Sequence, residues 1–174
     1  MCISGIDVTV SYHRAVDAGY TFGYTDCMKP GKIRAVAICI FLNEGKLLVG
    51  EGFDAIKRQP FGRPLGGRIE FGEYSQETIV REIREEIGAE VEDLRYWGTI
   101  ENIFTYNGEI GHEIVFIYRG NFTDQSLYDR PVIEGNEDGE PIRAIWFPLS
   151  EFSVENMPLY PTGLLEMIHK EESL

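Results

Sequence analysis

The chain has 174 residues, 43% of them hydrophobic, which suits one globular domain with a core of its own. Its net charge of −13 and lack of a dense Lys/Arg cluster argue against DNA or another nucleic-acid backbone as main partner. No apolar run is long enough to span a bilayer, so no membrane association is expected, and three scattered cysteines (Cys2, Cys27, Cys39) without a CxxC pair suit a reducing, cytoplasmic location.

Residues 1–31 differ in pattern from the rest of the chain. Segment 7–12 alternates like a strand, and 19–26 interleaves aromatics with turn residues. We read 1–31 as an N-terminal extension packed on the core or on a partner chain in a homodimer, with the main domain over 32–174. The runs 33–42 and 46–50, separated by Asn43-Glu44-Gly45, predict two strands joined by a short turn. Pro60, Pro64 and the pair Gly66-Gly67 break any helix between 53 and 70. Ser75 is the expected cap of a helix from Gln76 that stops at Gly88. Further strands are expected over 94–106, 113–122 and 142–149, with an acidic loop at 131–141. A C-terminal helix is expected with Pro161 at its first position. Several strands with one central and one terminal helix define an α+β or layered α/β domain.

The central helix carries the chemistry. In Arg81-Glu82-Ile83-Arg84-Glu85-Glu86-Ile87-Gly88, three glutamates fall within five positions. At about 100° per residue they share an arc of about 100°. Ile79, Val80, Ile83 and Ile87 form the adjoining apolar stripe, expected to face the core. The glutamates thus border the buried edge instead of lying opposite it. A salt-bridged surface, with Arg81 pairing to Glu77 or Glu85, is the plainer explanation, each such pair contributing about 0.2–0.5 kcal/mol. A divalent cation is the other, since hard cations favour carboxylate oxygens.

The context decides between them. Gly67, Glu73, Arg81, Glu82, Ile83, Glu85, Glu86, Gly88 and Ala89 occupy every specified position of GX5EX7REUXEEXGU, where U is apolar. Ala89 is small for the last slot. The stretch resembles the Nudix box, and the strands over 33–150 are compatible with the Nudix fold, an α/β/α sandwich with a mixed sheet. The resemblance implies hydrolysis of a diphosphate bond in a nucleoside diphosphate linked to another group. It implies Mg²⁺ or Mn²⁺ held by Glu82, Glu85 and Glu86, with the Gly66 carbonyl as a further ligand. Glu82 is then the favoured general base, and Arg81, bound to Glu73, locks the loop to the helix. Such enzymes often recruit a downstream carboxylate. Glu134, Glu137, Asp138 and Glu140 are available, and Glu140 is the first choice.

Other signals are weaker. Arg58, Arg63 and Arg68 flank the glycine turn and could hold phosphate oxygens. Phe61, Phe71, Phe104 and Tyr106 could stack a base. His112 could donate to substrate, although a structural role fits it as well. Residues 50–55 formally fit GxGxxA, but Pro60 leaves no room for the helix a dinucleotide site needs. The expected partner is a small nucleotide substrate. The rival readings are a non-catalytic nucleotide sensor of the same family and an isoprenoid-diphosphate isomerase, for which no cysteine is convincingly placed.

Overall fold

The computed structural model describes residues 31–137 and 139–172. The expected extension, with the strand at 7–12, Cys2 and Cys27, lies outside the described residues, as does Asp138. Nine strands and two α-helices are described, in two sheets. The first sheet runs β5 (Gly66–Arg68), β1 (Ile33–Ile40), β7 (Glu109–Phe122), β6 (Val91–Tyr106). It is mixed, β1 and β7 being parallel and the other pairs antiparallel. The second runs β2 (Leu42–Asn43), β3 (Lys46–Asp54), β9 (Glu140–Pro148), β8 (Val132–Glu137), with β4 (Gln59–Arg63) also on β3.

The run 33–42 is not one strand. Ile33–Ile40 belongs to the first sheet, and only Leu42–Asn43 pairs with β3, so the chain changes sheets at Phe41. The turn forms as expected, with Glu44 and Gly45 both at positive φ (48° and 73°). A strand buried on both faces reads as a continuous apolar run. Ala37, Cys39 and Phe41 pack beneath Ile79 and Ile83 of helix α1 (Ser75–Ile87). Val36, Ile38 and Ile40 enter a second core with Leu164 and Ile168 of helix α2 (Leu164–Glu172). Helices on two sides of the strands give the layered α+β architecture that the sequence predicts.

Several boundaries differ from expectation. Helix α1 begins at Ser75, not Gln76, and Tyr74 is its cap: the Tyr74 N–H donates to Glu77 Oε2 at 2.9 Å. Ser75 instead shares a 2.7 Å hydrogen bond with the Tyr118 hydroxyl. Gly88 ends the helix in the left-handed region (φ 67°). Pro161 does not open α2, because Gly163 at φ 90° intervenes and the helix starts at Leu164. Residues 50–55 continue β3 into a turn, so no dinucleotide site follows them.

The expected loop at 131–141 is the β8–β9 hairpin. Its Pro, Gly and acidic residues read as turn chemistry, but the strand alternates inward at Ile133, Gly135 and Glu137. Gly135 lies so close to α1 that a Cβ there would stand 2.0 Å from the Glu86 carbonyl oxygen. The contact falls on the glutamate side of the helix. Thr78, Ile79, Ile83 and Glu86 are its buried residues, while Val80 is only half-buried. The buried arc is displaced from the apolar stripe toward the glutamates. Gly135→Ala should therefore cost about 1–3 kcal/mol of stability, as overpacking does; urea unfolding measures it, and an unchanged midpoint would refute the close packing.

Candidate active site

The β5–α1 segment brings the box residues together. The Arg81 guanidinium donates from Nε to Glu73 Oε1 (2.9 Å) and from Nη2 to Glu73 Oε2 (3.0 Å), a bidentate pair. Nη1 reaches Glu82 Oε1 (2.8 Å) and Glu85 Oε2 (3.0 Å), and Nη2 also reaches the Arg68 carbonyl (3.1 Å). Glu73 accepts further bonds from the Thr78 hydroxyl (2.8 Å) and the Glu70 N–H (3.1 Å). Arg81, then the Glu70 N–H and Thr78, hold the Glu73 carboxyl down to about 2.

The three glutamates differ in environment. Glu85 is exposed. Glu82 is half-buried, and burial raises its carboxyl above the usual range against the pull of Arg81. Its carboxylate fills the place where Gly67 lacks a side chain: a Cβ there would lie 2.2 Å from Glu82 Oε1. Glu86 is 2% exposed. Its Oε2 accepts from the Gly66 N–H at 3.2 Å, while Oε1 is buried without a hydrogen-bond partner among the described residues. Burial, then the charges of Glu137 and Glu82, push its carboxyl well up; Gly66 and Arg63 oppose.

Among the downstream acids the structure brings Glu137 to Glu86, through the inward alternation of β8. Glu140 lies across the hairpin from Glu137 and is exposed, and Glu134 is exposed too. Among the described residues no three acidic, His or Cys side chains form a ready-made metal cage. The reason is visible: Arg81 bridges Glu82 and Glu85, and Glu86 is turned to Gly66. The donor set still fits a hard divalent cation, being all carboxylate, with one buried oxygen lacking a partner.

The other candidate residues divide between two places. Arg68 is exposed and bonded to Glu70 Oε1 through Nη2 (3.0 Å). Arg58 is exposed in the β3–β4 turn, and Phe71 is fully exposed on the loop before α1. His112 is paired with Glu101 (3.0 Å). Arg63, Phe61, Phe104 and Tyr106 line one cleft beside the ridge, together with Asn102, Glu113 and Tyr160. Arg63 lies between cleft and ridge, 3.9 Å from Glu113 Oε1 and close enough to Glu86 for its charge to act there. Sequence reasoning missed Asn102 and Glu113. Their signal was a polar residue at an inward position of an alternating strand.

The chain belongs to the Nudix family: the NUDIX domain model matches residues 31–167. A Mycobacterium tuberculosis (strain CDC 1551 / Oshkosh) protein carrying the mutator name MutT4 is 33% identical over 85 residues, which are 49% of this chain and 32% of that protein. The match thus spans about a third of that relative's length. The MutT NUDIX hydrolase from Burkholderia pseudomallei has a TM-score of 0.56 at 20% identity, covering 79% of this chain and 97% of that one. A NUDIX hydrolase from Nitrosomonas europaea has a TM-score of 0.51 at 19% identity, covering 82% and 90%. At this identity the two structures establish the fold. Hydrolases of this family cleave pyrophosphate bonds and generally use divalent cations. No helix among the described residues is long and apolar enough to cross a membrane.

The Arg81–Glu73 pair has a pH signature. The folded-state pKa of Glu73 is depressed, so the pair stabilises fully above the unfolded value of 4.5 and is lost as pH falls toward about 2. Glu73→Gln should therefore be destabilised relative to wild type at pH 6, with the gap closing between pH 4.5 and 2; parallel stability curves in urea would contradict this.

Proposed function

We propose that the chain is a divalent-cation-dependent pyrophosphohydrolase of small nucleotides that cleaves a diphosphate bond in a nucleoside diphosphate linked to a further group. The observation that carries this reading is Glu86 Oε1, a buried carboxylate oxygen without a hydrogen-bond partner among the described residues, beside two other carboxylates. An unpaired buried charge is costly. A bound cation would offset that cost.

Glu82, Glu85 and Glu86, with the Gly66 carbonyl, would hold Mg²⁺ or Mn²⁺. Glu137 takes the downstream role first assigned to Glu140, because its charge already acts on Glu86. When bound, the cation shields the diphosphate and acidifies water. The residues do the rest. Glu82, its carboxyl raised by burial, accepts the proton of the attacking water. Water oxygen bonds to one phosphorus, the bridging P–O bond breaks, and the other phosphate leaves with its electrons. Arg81 orients Glu82, and Glu73 orients Arg81. Arg63 faces phosphate charge at the border of ridge and cleft, and Tyr106 borders the bound nucleotide. Arg68, tied to Glu70, is better placed to steer substrate than to grip it.

The complete set of box carboxylates favours this reading over a non-catalytic sensor. Cys39 is wholly buried in β1, out of reach of any substrate, which disfavours the isomerase. Incubation with Mg²⁺ and a panel of nucleoside triphosphates, ADP-ribose and dinucleoside polyphosphates, with products identified by mass, tests the activity. Glu82→Gln should lower kcat about 10²-fold or more. Absence of turnover across the panel, or an undiminished variant, would overturn the reading. A second test needs no turnover. Without divalent cations, Glu86→Gln should melt no lower than wild type, since it removes a buried carboxyl whose charge burial and two neighbouring glutamates disfavour. Added Mn²⁺ should raise the wild-type Tm and leave the variant unmoved; equal shifts in both would remove Glu86 from the cation site.

A further inference from the structure

The cleft beside the glutamate ridge takes no part in the hydrolytic step, yet it is a built site. Its walls are aromatic. The Phe61 ring covers Gly52 on the neighbouring strand, where a Cβ would stand 2.2 Å away, and Phe104 covers Gly111 in the same manner at 2.4 Å. Tyr106 and Tyr160 meet Phe61 edge-on, at 5.8 and 5.7 Å between centroids. Aromatic surfaces of this kind stack flat heterocycles regardless of which base is offered.

The other end of the cleft is polar. Asn102 (4% exposed) and Glu113 (3%) face one another across β6 and β7. Glu113 Oε1 takes the Arg34 guanidinium and lies 3.9 Å from Arg63 Nη2. Glu113 Oε2 accepts from Asn102 Nδ2 at 3.5 Å. The carboxylate can only accept, so it fixes the amide: turned over, Asn102 would set oxygen against oxygen. Oδ1 is thereby committed as an acceptor, and it is buried without a partner among the described residues. A buried acceptor left unpaired is costly, and a ligand donor recovers that cost.

We propose that this cleft holds the nucleobase and that Asn102 Oδ1 accepts a hydrogen bond from its exocyclic amino group, so that the protein selects nucleotides with amino-bearing bases. The inference rests on the hydrolase reading only in placing the phosphates at the glutamate ridge. Adenine, guanine and cytosine carry such an amino donor; hypoxanthine and uracil do not. Arg63, between ridge and cleft, marks where base and phosphates of one nucleotide would join.

Matched nucleoside monophosphates that differ by the amino group test this without turnover. By calorimetry in the absence of metal, GMP is compared with IMP, CMP with the monophosphate of 2-pyrimidinone riboside, and AMP with the monophosphate of unsubstituted purine riboside. In at least one pair the amino member should bind about tenfold tighter or more. Asn102→Ala should bring that ratio to about one, while Phe104→Leu should weaken both members together. Equal binding within every wild-type pair overturns the proposal even if the Ala variant fails to fold, and so does discrimination that survives Asn102→Ala. Turnover of the corresponding triphosphates with Mn²⁺ is measured alongside. Discrimination without turnover would sink the hydrolase reading and leave the cleft standing; turnover without discrimination would do the reverse.

Discussion

A carboxylate buried away from water is among the costliest groups a fold can carry, and the architecture turns on where it puts that of Glu86. Helix α1 lies against β5 and β1 on one side and β8 on another, so close that two glycines, Gly67 and Gly135, leave room for Glu82 and for the helix backbone. The Gly66 N–H and the more distant Arg63 are the groups that favour its charged form. The stability lost there is recovered in the apolar cores around it, where Ile79 and Ile83 are fully buried. The result is a ridge of negative charge held in a fixed shape, which suits the binding of a cation and its phosphate ligand better than it suits folding.

Arg81 keeps that ridge in order. A guanidinium has five N–H donors in a rigid fork. Here its nitrogens reach both oxygens of Glu73, one each of Glu82 and Glu85, and the Arg68 carbonyl. One side chain therefore fastens the preceding loop to the helix and sets the angle of two box carboxylates. A lysine has three donors on a flexible stem and could not span this set. The cleft depends on the same close approach of backbone: glycines opposite Phe61 and Phe104 let two rings lie flat against the strands, and Arg63 connects this wall to the ridge.

The glutamate ridge was legible in the sequence because its spacing is a helix spacing, and helix geometry is local. Gly88 as terminator and the Arg81–Glu73 reach follow from position along a single segment. The β8–β9 hairpin was not legible, because Pro131, Gly135 and Gly139 are turn residues by local propensity, whereas Gly135 pairs with Ile142 of β9 and the close approach of α1 leaves room only for glycine there. The same strand, β8, packs against the glutamate side of the helix and brings Glu137 toward Glu86. Ser75 looked like a cap by type alone; its hydroxyl instead bonds Tyr118, a residue 43 positions away in the chain.

The amino-acid sequence by itself determined which carboxylates share an edge, where their helix ends and which arginine can reach them, since those relations are set by about 3.6 residues per turn. Tertiary structure alone decided how deeply each carboxylate is buried, which downstream acid joins them, and that Asn102, Glu113, Phe61 and Phe104 meet in one cleft. Burial and encounter depend on strands brought together from distant parts of the chain, and no local pattern carries that information.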